Sequence, residues 1–196
     1  QSLDPEGWQH ERYPANDWHD LPVSPVNDAE GRRVVIEVPL PALGAEAGKQ
    51  RSVLIQAWRV DVGRVPLFLL DANLPQNVPE DRALTNTLYG GDRNHRIRQE
   101  ILLGIGGVRF LSAIGIQPVV CHMNEGHSAF LAIERVKKLM AEHGASFSVA
   151  SEAAAAGNVF TTHTPVPAGN DAFPHDMIAP YLPVLAEGLG ISAEDV

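Results

Sequence analysis

Between residues 118 and 162, two short apolar runs enclose two stretches of helical period, and that order leaves few folds open. Pro118-Val119-Val120-Cys121-His122 reads as a buried strand. Over residues 128–143, Phe130, Ile133, Val136, Leu139 and Met140 recur at helical spacing. Lys137, Lys138 and His143 complement that helix's C-terminal dipole, and Gly144 stops it. A further helix is predicted over 148–156, ended by Gly157, and Val159-Phe160-Thr161 begins another short strand. Strand, helix, helix, strand is a crossover unit, which joins parallel strands with a right-handed connection. Parallel strands point the same way, so the loops after Cys121 and Thr161 leave the carboxyl edge of the sheet, where open α/β folds bind ligands. Asn124, Glu125, Gly126 and His127 are therefore expected near His163 and Thr164.

The preceding residues follow other rules. Residues 1–33 are rich in Pro, Asp, Asn and Trp and show no sustained period, which reads as ordered loop with short strands. Residues 34–38 and 53–59 are rich in β-branched side chains and predict a hairpin with a long loop over 39–50. Val65 to Leu70 is a compact apolar run ending at Asp71, expected as a buried strand. Pro79-Glu80-Asp81 opens a short helix, with Asn77 or Val78 near its cap and Gly90-Gly91 at its end. From Asn94 to Ile114, apolar residues at spacings of three and four predict a sustained amphipathic helix closed by Gly115. The fold class is α/β, with a β-rich segment over 1–75 and an α/β crossover segment over 76–196. At 196 residues the chain has the length of one domain, or at most two small ones.

Composition excludes several functions. Twenty-four acidic against fifteen basic residues give a net charge of −9, without a basic patch to release counterions from a phosphate backbone, so nucleic acid is not an expected partner. No apolar run approaches the ~18–20 residues that span a bilayer, and the start lacks the basic-then-apolar pattern of a signal peptide. A single cysteine, Cys121, cannot form an internal disulfide and suits a reducing cytoplasm. A first residue that is not Met, close before the motif-like Trp8-Gln9, reads as a piece of something longer.

Each candidate motif has two readings. His122-Met123-Asn124-Glu125-Gly126-His127 sets donors, acceptors and a carboxylate on a strand-to-helix turn, either to orient a hydroxyl-rich ligand or simply to satisfy and cap the helix start. His122, His127, His163 and His175 lack the helical i, i+4 pairing of a zinc site. Gly104-Ile105-Gly106-Gly107 lies inside a helix pattern rather than between a strand and a helix start, so close helix packing explains it better than a dinucleotide loop. Asp92, Arg93, Arg96 and Arg98 form either an anion site or a solvated helix start with Asp92 as cap. Cys121 reads as core.

These residues carry a resemblance to the α-glucan phosphorylases, the family of glycogen, starch and maltodextrin phosphorylases. Gly7-Trp8-Gln9-His10-Glu11 and Asn16-Asp17-Trp18 are similar to the family's Gly-Trp-Gln…Asp-Trp segment. Leu88 to Glu100 resembles its active-site gating loop and following helix. Asn124-Glu125-Gly126-His127 stands where many members have Asn-Asp-Thr-His, and Phe160-Thr161-Thr162-His163-Thr164 where they have Tyr-Thr-Asn-His-Thr. The bacterial branch is the most similar.

The resemblance implies a GT-B architecture of two Rossmann-like domains facing across a cleft, of which this chain resembles part of the N-terminal one. It implies retaining phosphorolysis of terminal α-1,4-glucosidic bonds by inorganic phosphate, with pyridoxal 5'-phosphate as cofactor and a cytoplasmic, allosteric homodimer as the complete enzyme. Carried over by position, His163 is the catalytic contact, chiefly at the glucosyl 6-hydroxyl and through its backbone carbonyl near the developing positive charge, and Asn124, Glu125, Gly126, His127, Thr162 and Thr164 are substrate-binding, with Asp92 on the gate. Departures limit the transfer. Lys49, Lys137 and Lys138 are the chain's lysines and none matches the family's cofactor lysine, the Gly-rich phosphate loop is missing, and the loop after Asp92 is short. The isolated chain is therefore expected to be inactive. The alternatives are a carbohydrate-binding or structural module without chemistry, and a hydrolase using Glu125 with a second carboxylate that the sequence does not offer.

Overall fold

The computed structural model describes residues 2–3, 9–10, 22–42, 49–87, 91–163 and 172–192. The segment around Trp8 and Trp18, the Leu88–Gly90 stretch and the binding candidate Thr164 lie outside the described residues.

Strands β1 (Ser2–Leu3) and β2 (Gln9–His10) form a short antiparallel pair. Four longer strands follow: β3 (Val23–Pro25), β4 (Val35–Pro41), β5 (Gln50–Val62) and β6 (Val65–Asp71). The expected hairpin is present, with strands longer and a loop shorter than the sequence indicates: β4 pairs antiparallel with β5 from Val35↔Gln56 to Pro41↔Gln50. Beyond that stretch β3 takes over, pairing Val23↔Val60 through Pro25↔Trp58, while β6 lies on the other edge from Gln56↔Asp71 to Val62↔Val65. A two-residue turn, Gly63-Arg64, joins β5 to β6; Gly63 has φ +61°, which suits a tight hairpin with Gly first.

Past the end of β6, a side chain continues the sheet edge. Asn77 accepts from the Leu54 N–H (2.9 Å) and donates to the Leu54 and Ala72 carbonyls (2.7 Å each). Val78, not Asn77, caps α1 (Pro79–Arg82), which is one turn long and stops well short of Gly90. The carbonyls that would extend it find side-chain donors instead: the Gln99 amide reaches the carbonyls of Leu84 (2.8 Å) and Thr87 (2.9 Å).

The run over 65–70 is a half-open edge strand rather than a buried one. Val65, Leu67 and Leu69 face out, 44–67% exposed, while Phe68 and Leu70 turn inward and Phe68 meets Phe110 with ring centroids 5.4 Å apart. A continuous apolar run conceals this alternation, because period 2 shows only when the outward residues are polar.

The long helical pattern is realised as α2 (Arg93–Ile101), a π-helical segment (Leu102–Gly106) and α3 (Gly107–Ala113), closed by Gly115 at φ +77°. Asp92 caps it, accepting from the His95 N–H at 2.9 Å. Ile97, Ile101, Leu102 and Ile105 pack on Val38, Leu40, Val53 and Ile55, all at most 2% exposed, and each such side chain is worth ~1.5–3 kcal/mol of burial. Gly104 and Gly106 serve close packing, as the sequence indicates, whereas a Cβ on Gly107 would meet nothing within 4 Å. A Cβ on Gly104 would stand 2.6 Å from the Leu131 nitrogen, and one on Gly106 would stand 3.1 Å from Ile55 Cδ1.

The crossover is present: β7 (Cys121–Asn124), a 3₁₀ turn (Glu125–Ser128), α4 (Leu131–His143), α5 (Phe147–Ala156) and β8 (Asn158–Thr161), with β7 and β8 parallel from Cys121↔Asn158 to Asn124↔Thr161. Gly144, in the left-handed region at φ 63°, ends α4 and Ser146 caps α5. Two expectations fail here. The strand starts at Cys121 rather than 118, and Val119 and Val120 are 84% and 57% exposed, because β8 offers pairing only from Asn158 onward. Cys121 is half-buried beside Val108, Met123 and Leu131 rather than in the main core. Short helices α6 (His175–Ile178) and α7 (Leu182–Ala186) return Tyr181 and Leu185 to the main core. Among the described residues no helix is long and apolar enough to cross a membrane.

Candidate functional site

Parallel pairing of β7 with β8 brings the two expected loops together. Asn124 and Thr161 are register partners, and one residue beyond Asn124 the chain turns sharply. Glu125 does this with φ +54°, the one non-glycine residue in the left-handed region among the described residues. That region costs a non-glycine residue on the order of 1–3 kcal/mol and persists only where the surroundings hold it. Here the carboxylate, on a residue 7% exposed, accepts the backbone N–H of His163 at 3.0 Å. The same oxygen lies 4.0 Å from His163 Nδ1, while the imidazole itself stays mostly exposed. Behind this contact, His122 Nε2 and Thr161 Oγ1 hydrogen-bond across the strand pair.

Asn124 precedes the 3₁₀ turn without making a side-chain cap, so its amide does not close the helix start. It lines a cleft of about 670 Å³ together with His122, His127 and Ser128. Phe68, Leu69, Leu70, Leu102 and Leu103 supply apolar lining, and Arg96 and Glu100 add charge. Arg96 Nη2 stands 3.5 Å from His127 Nδ1 and 3.8 Å from Glu100 Oε1, so α2 fixes the far side of the turn. A cleft with an apolar face and convergent polar groups suits a ligand that is itself two-faced, such as a sugar ring with its C–H face and its hydroxyls.

The candidates do not all converge on that cleft. Glu125 and His163 are not among its lining residues, Gly126 is half-buried, Thr162 is exposed, and Asp92 is engaged as the α2 cap. Sequence reasoning gave the apolar wall no role, because Leu69 and Leu103 read as ordinary helix or strand positions. Among the described residues no three His, Cys, Asp or Glu side chains group to hold a metal ion.

The lysines do not fit the implied cofactor. Lys137 Nζ donates to the Val184 carbonyl (3.1 Å), and burial lowers its pKa below the usual 10.5. Lys138 is bound to Ser112 Oγ (3.0 Å) and Glu142 (2.8 Å). Among the described residues no lysine lines the cleft.

No protein-family model matches the chain. Curated relatives do. The chain is 46% identical to a glycogen phosphorylase of Mycobacterium tuberculosis over 93% of its length, and 42% identical to a maltodextrin phosphorylase of Thermococcus litoralis over 96%. It is 31% identical to a glycogen phosphorylase of Aquifex aeolicus over 97%. The chain spans only 21%, 22% and 26% of those three relatives. By sequence, it is a homologue of the glycogen and maltodextrin phosphorylases, matching about a fifth of the length of the M. tuberculosis and T. litoralis proteins.

Proposed function

We propose that this chain forms part of the glucan side of the active-site cleft in an α-glucan phosphorylase. The reaction is retaining phosphorolysis of a terminal α-1,4 bond, with inorganic phosphate as acceptor and α-glucose 1-phosphate as product. The observation that carries this reading is the match to phosphorylases along 93–97% of the chain. The convergence of the two strand ends is consistent with it. Both segments, 1–75 and 76–196, are assigned to the N-terminal Rossmann-like domain of a GT-B fold. Pyridoxal phosphate, its lysine and the phosphate-binding loop come from parts of the enzyme beyond this chain, and a cytoplasmic homodimer is the assembly the family suggests.

In this reading His163 is the catalytic contact, its backbone carbonyl directed at the positive charge that develops on the sugar, where a fixed dipole lowers the barrier without reorganising. Asn124 and His127 hydrogen-bond sugar hydroxyls, Gly126, Thr162 and Thr164 are further substrate-binding residues, and Asp92 belongs to the gate. The test is an assay of the full-length enzyme containing this segment with pyridoxal phosphate, phosphate and maltoheptaose. Release of glucose 1-phosphate is the expected result; release of free glucose, or glucan binding without turnover, overturns it. The 196-residue chain alone is expected to release none.

A further inference from the structure

We infer that Glu125 is a positioning residue rather than a sugar contact: its carboxylate clamps the backbone N–H of His163 and so limits where the His163 carbonyl can point. Three observations carry this. Glu125 is buried at 7% exposure, so its carboxylate presents little surface to a ligand. Its Oε1 already accepts from the His163 nitrogen at 3.0 Å. Its backbone adopts φ +54°, a conformation that is unfavourable for glutamate and aims the side chain across to the end of β8. The contact joins the first residue after β7 to the second residue after β8, tying together two loops whose strands are only four residues long.

The chemistry favours a carboxylate there. A charged acceptor makes a hydrogen bond to a backbone N–H roughly twice as strong as a neutral one. Holding the nitrogen of His163 fixes the preceding peptide plane and limits the rotation available to the residue's own carbonyl. A displacement of about 1 Å at such a dipole is enough to cost ~100-fold in rate. The imidazole lies 4.0 Å from the same oxygen and remains exposed, so the clamp acts on the main chain and leaves the ring available.

This inference rests on the phosphorylase reading, and its test separates the two. In the full-length enzyme, Glu125→Ala, Glu125→Gln and wild type are compared by steady-state kinetics. Amide exchange over residues 159–163 is followed in parallel without glucan. Glu125→Ala is expected to lower kcat by ~10- to 100-fold, the loss of one charge-assisted hydrogen bond, while KM for maltoheptaose changes less than about threefold. Exchange at the His163 amide should rise by a similar factor. Glu125→Gln keeps a carbonyl acceptor of the same length and should restore both to within about fivefold of wild type. A rise in KM at unchanged kcat overturns the proposal in favour of direct sugar contact, and unchanged exchange in Glu125→Ala overturns the clamp. If Glu125→Ala does not fold, Glu125→Gln decides: a loss as large as ~100-fold means charge at the site, not the clamp, is what matters. A wild-type enzyme without phosphorolysis overturns the phosphorylase reading and the catalytic consequence, while the exchange comparison still decides the clamp.

Discussion

The antiparallel sheet centred on β5 and the parallel pair β7–β8 are held by different physics. The first buries Val38, Leu40, Val53, Ile55 and Ala57 completely beneath the long helix, so its stability comes from apolar area. The second has Val159 and Phe160 about half exposed on its faces and is pinned by polar groups at its ends. Arg135 donates to the Gly157 carbonyl (2.7 Å), the Asn158 side chain and, more weakly, the Val119 carbonyl (3.4 Å), while Glu125 ties the opposite end. The lesson is a division of labour: a rigid apolar scaffold places the strands, and directional bonds at the strand ends place the candidate site.

Substitutions can break that contrast. The largest effect is expected from Asp81→Ala on the sheet side. Asp81 is 2% exposed and binds both half-buried Arg51 (2.7 Å) and buried Arg98, so its loss removes the carboxylate that compensates a buried guanidinium and should cost ~3–5 kcal/mol in urea unfolding. Ile55→Ala should cost about 2–5 kcal/mol by the same measurement, since a fully buried branched side chain would leave a cavity. Arg135→Ala should cost less, ~1–2 kcal/mol, and should show mainly as faster amide exchange in β7 and β8 with α2 unaffected. Equal loss of protection in both regions would mean they unfold as one unit and would erase the distinction.

Tyr181→Phe should have the smallest effect at neutral pH, within ~0.5 kcal/mol or slightly stabilising, because the buried hydroxyl meets no hydrogen-bond partner among the described residues. Its pH dependence is more informative. Burial raises the Tyr181 pKa above 10.0, against the opposing pull of Arg98 and Arg51. The folded protein therefore keeps this proton where the unfolded chain loses it. The resulting stability is complete below pH 10 and disappears as pH rises through the raised value. Thermal melts from pH 9 to 11 should fall more steeply for wild type than for Tyr181→Phe.

Much of this was legible in the residues themselves. Helical spacing from Asn94 to Ile114 and the stop at Gly115 came through, as did the strand–helix–helix–strand order and the meeting of Glu125 with His163. Other features were hidden. The side chain of Asn77 continues a sheet edge because its amide offers a donor and an acceptor like a peptide, and nothing in its neighbours announces that use. The exposure of Val119 and Val120 escaped notice because hydrophobicity reports what a residue prefers, not whether a partner strand reaches it.

By itself, the sequence determined the α/β class, the crossover and the kinship with phosphorylases, because these depend on periodicity, glycine punctuation and residue identity along the chain. Only the tertiary structure decided that Glu125 turns through a left-handed backbone to hold the His163 amide, that Arg96 faces His127, and that β6 completes an amphipathic cleft. Those outcomes depend on distances between residues some 30 to 40 positions apart or more, set by how the sheet, helix and crossover pack together, and no local pattern encodes them.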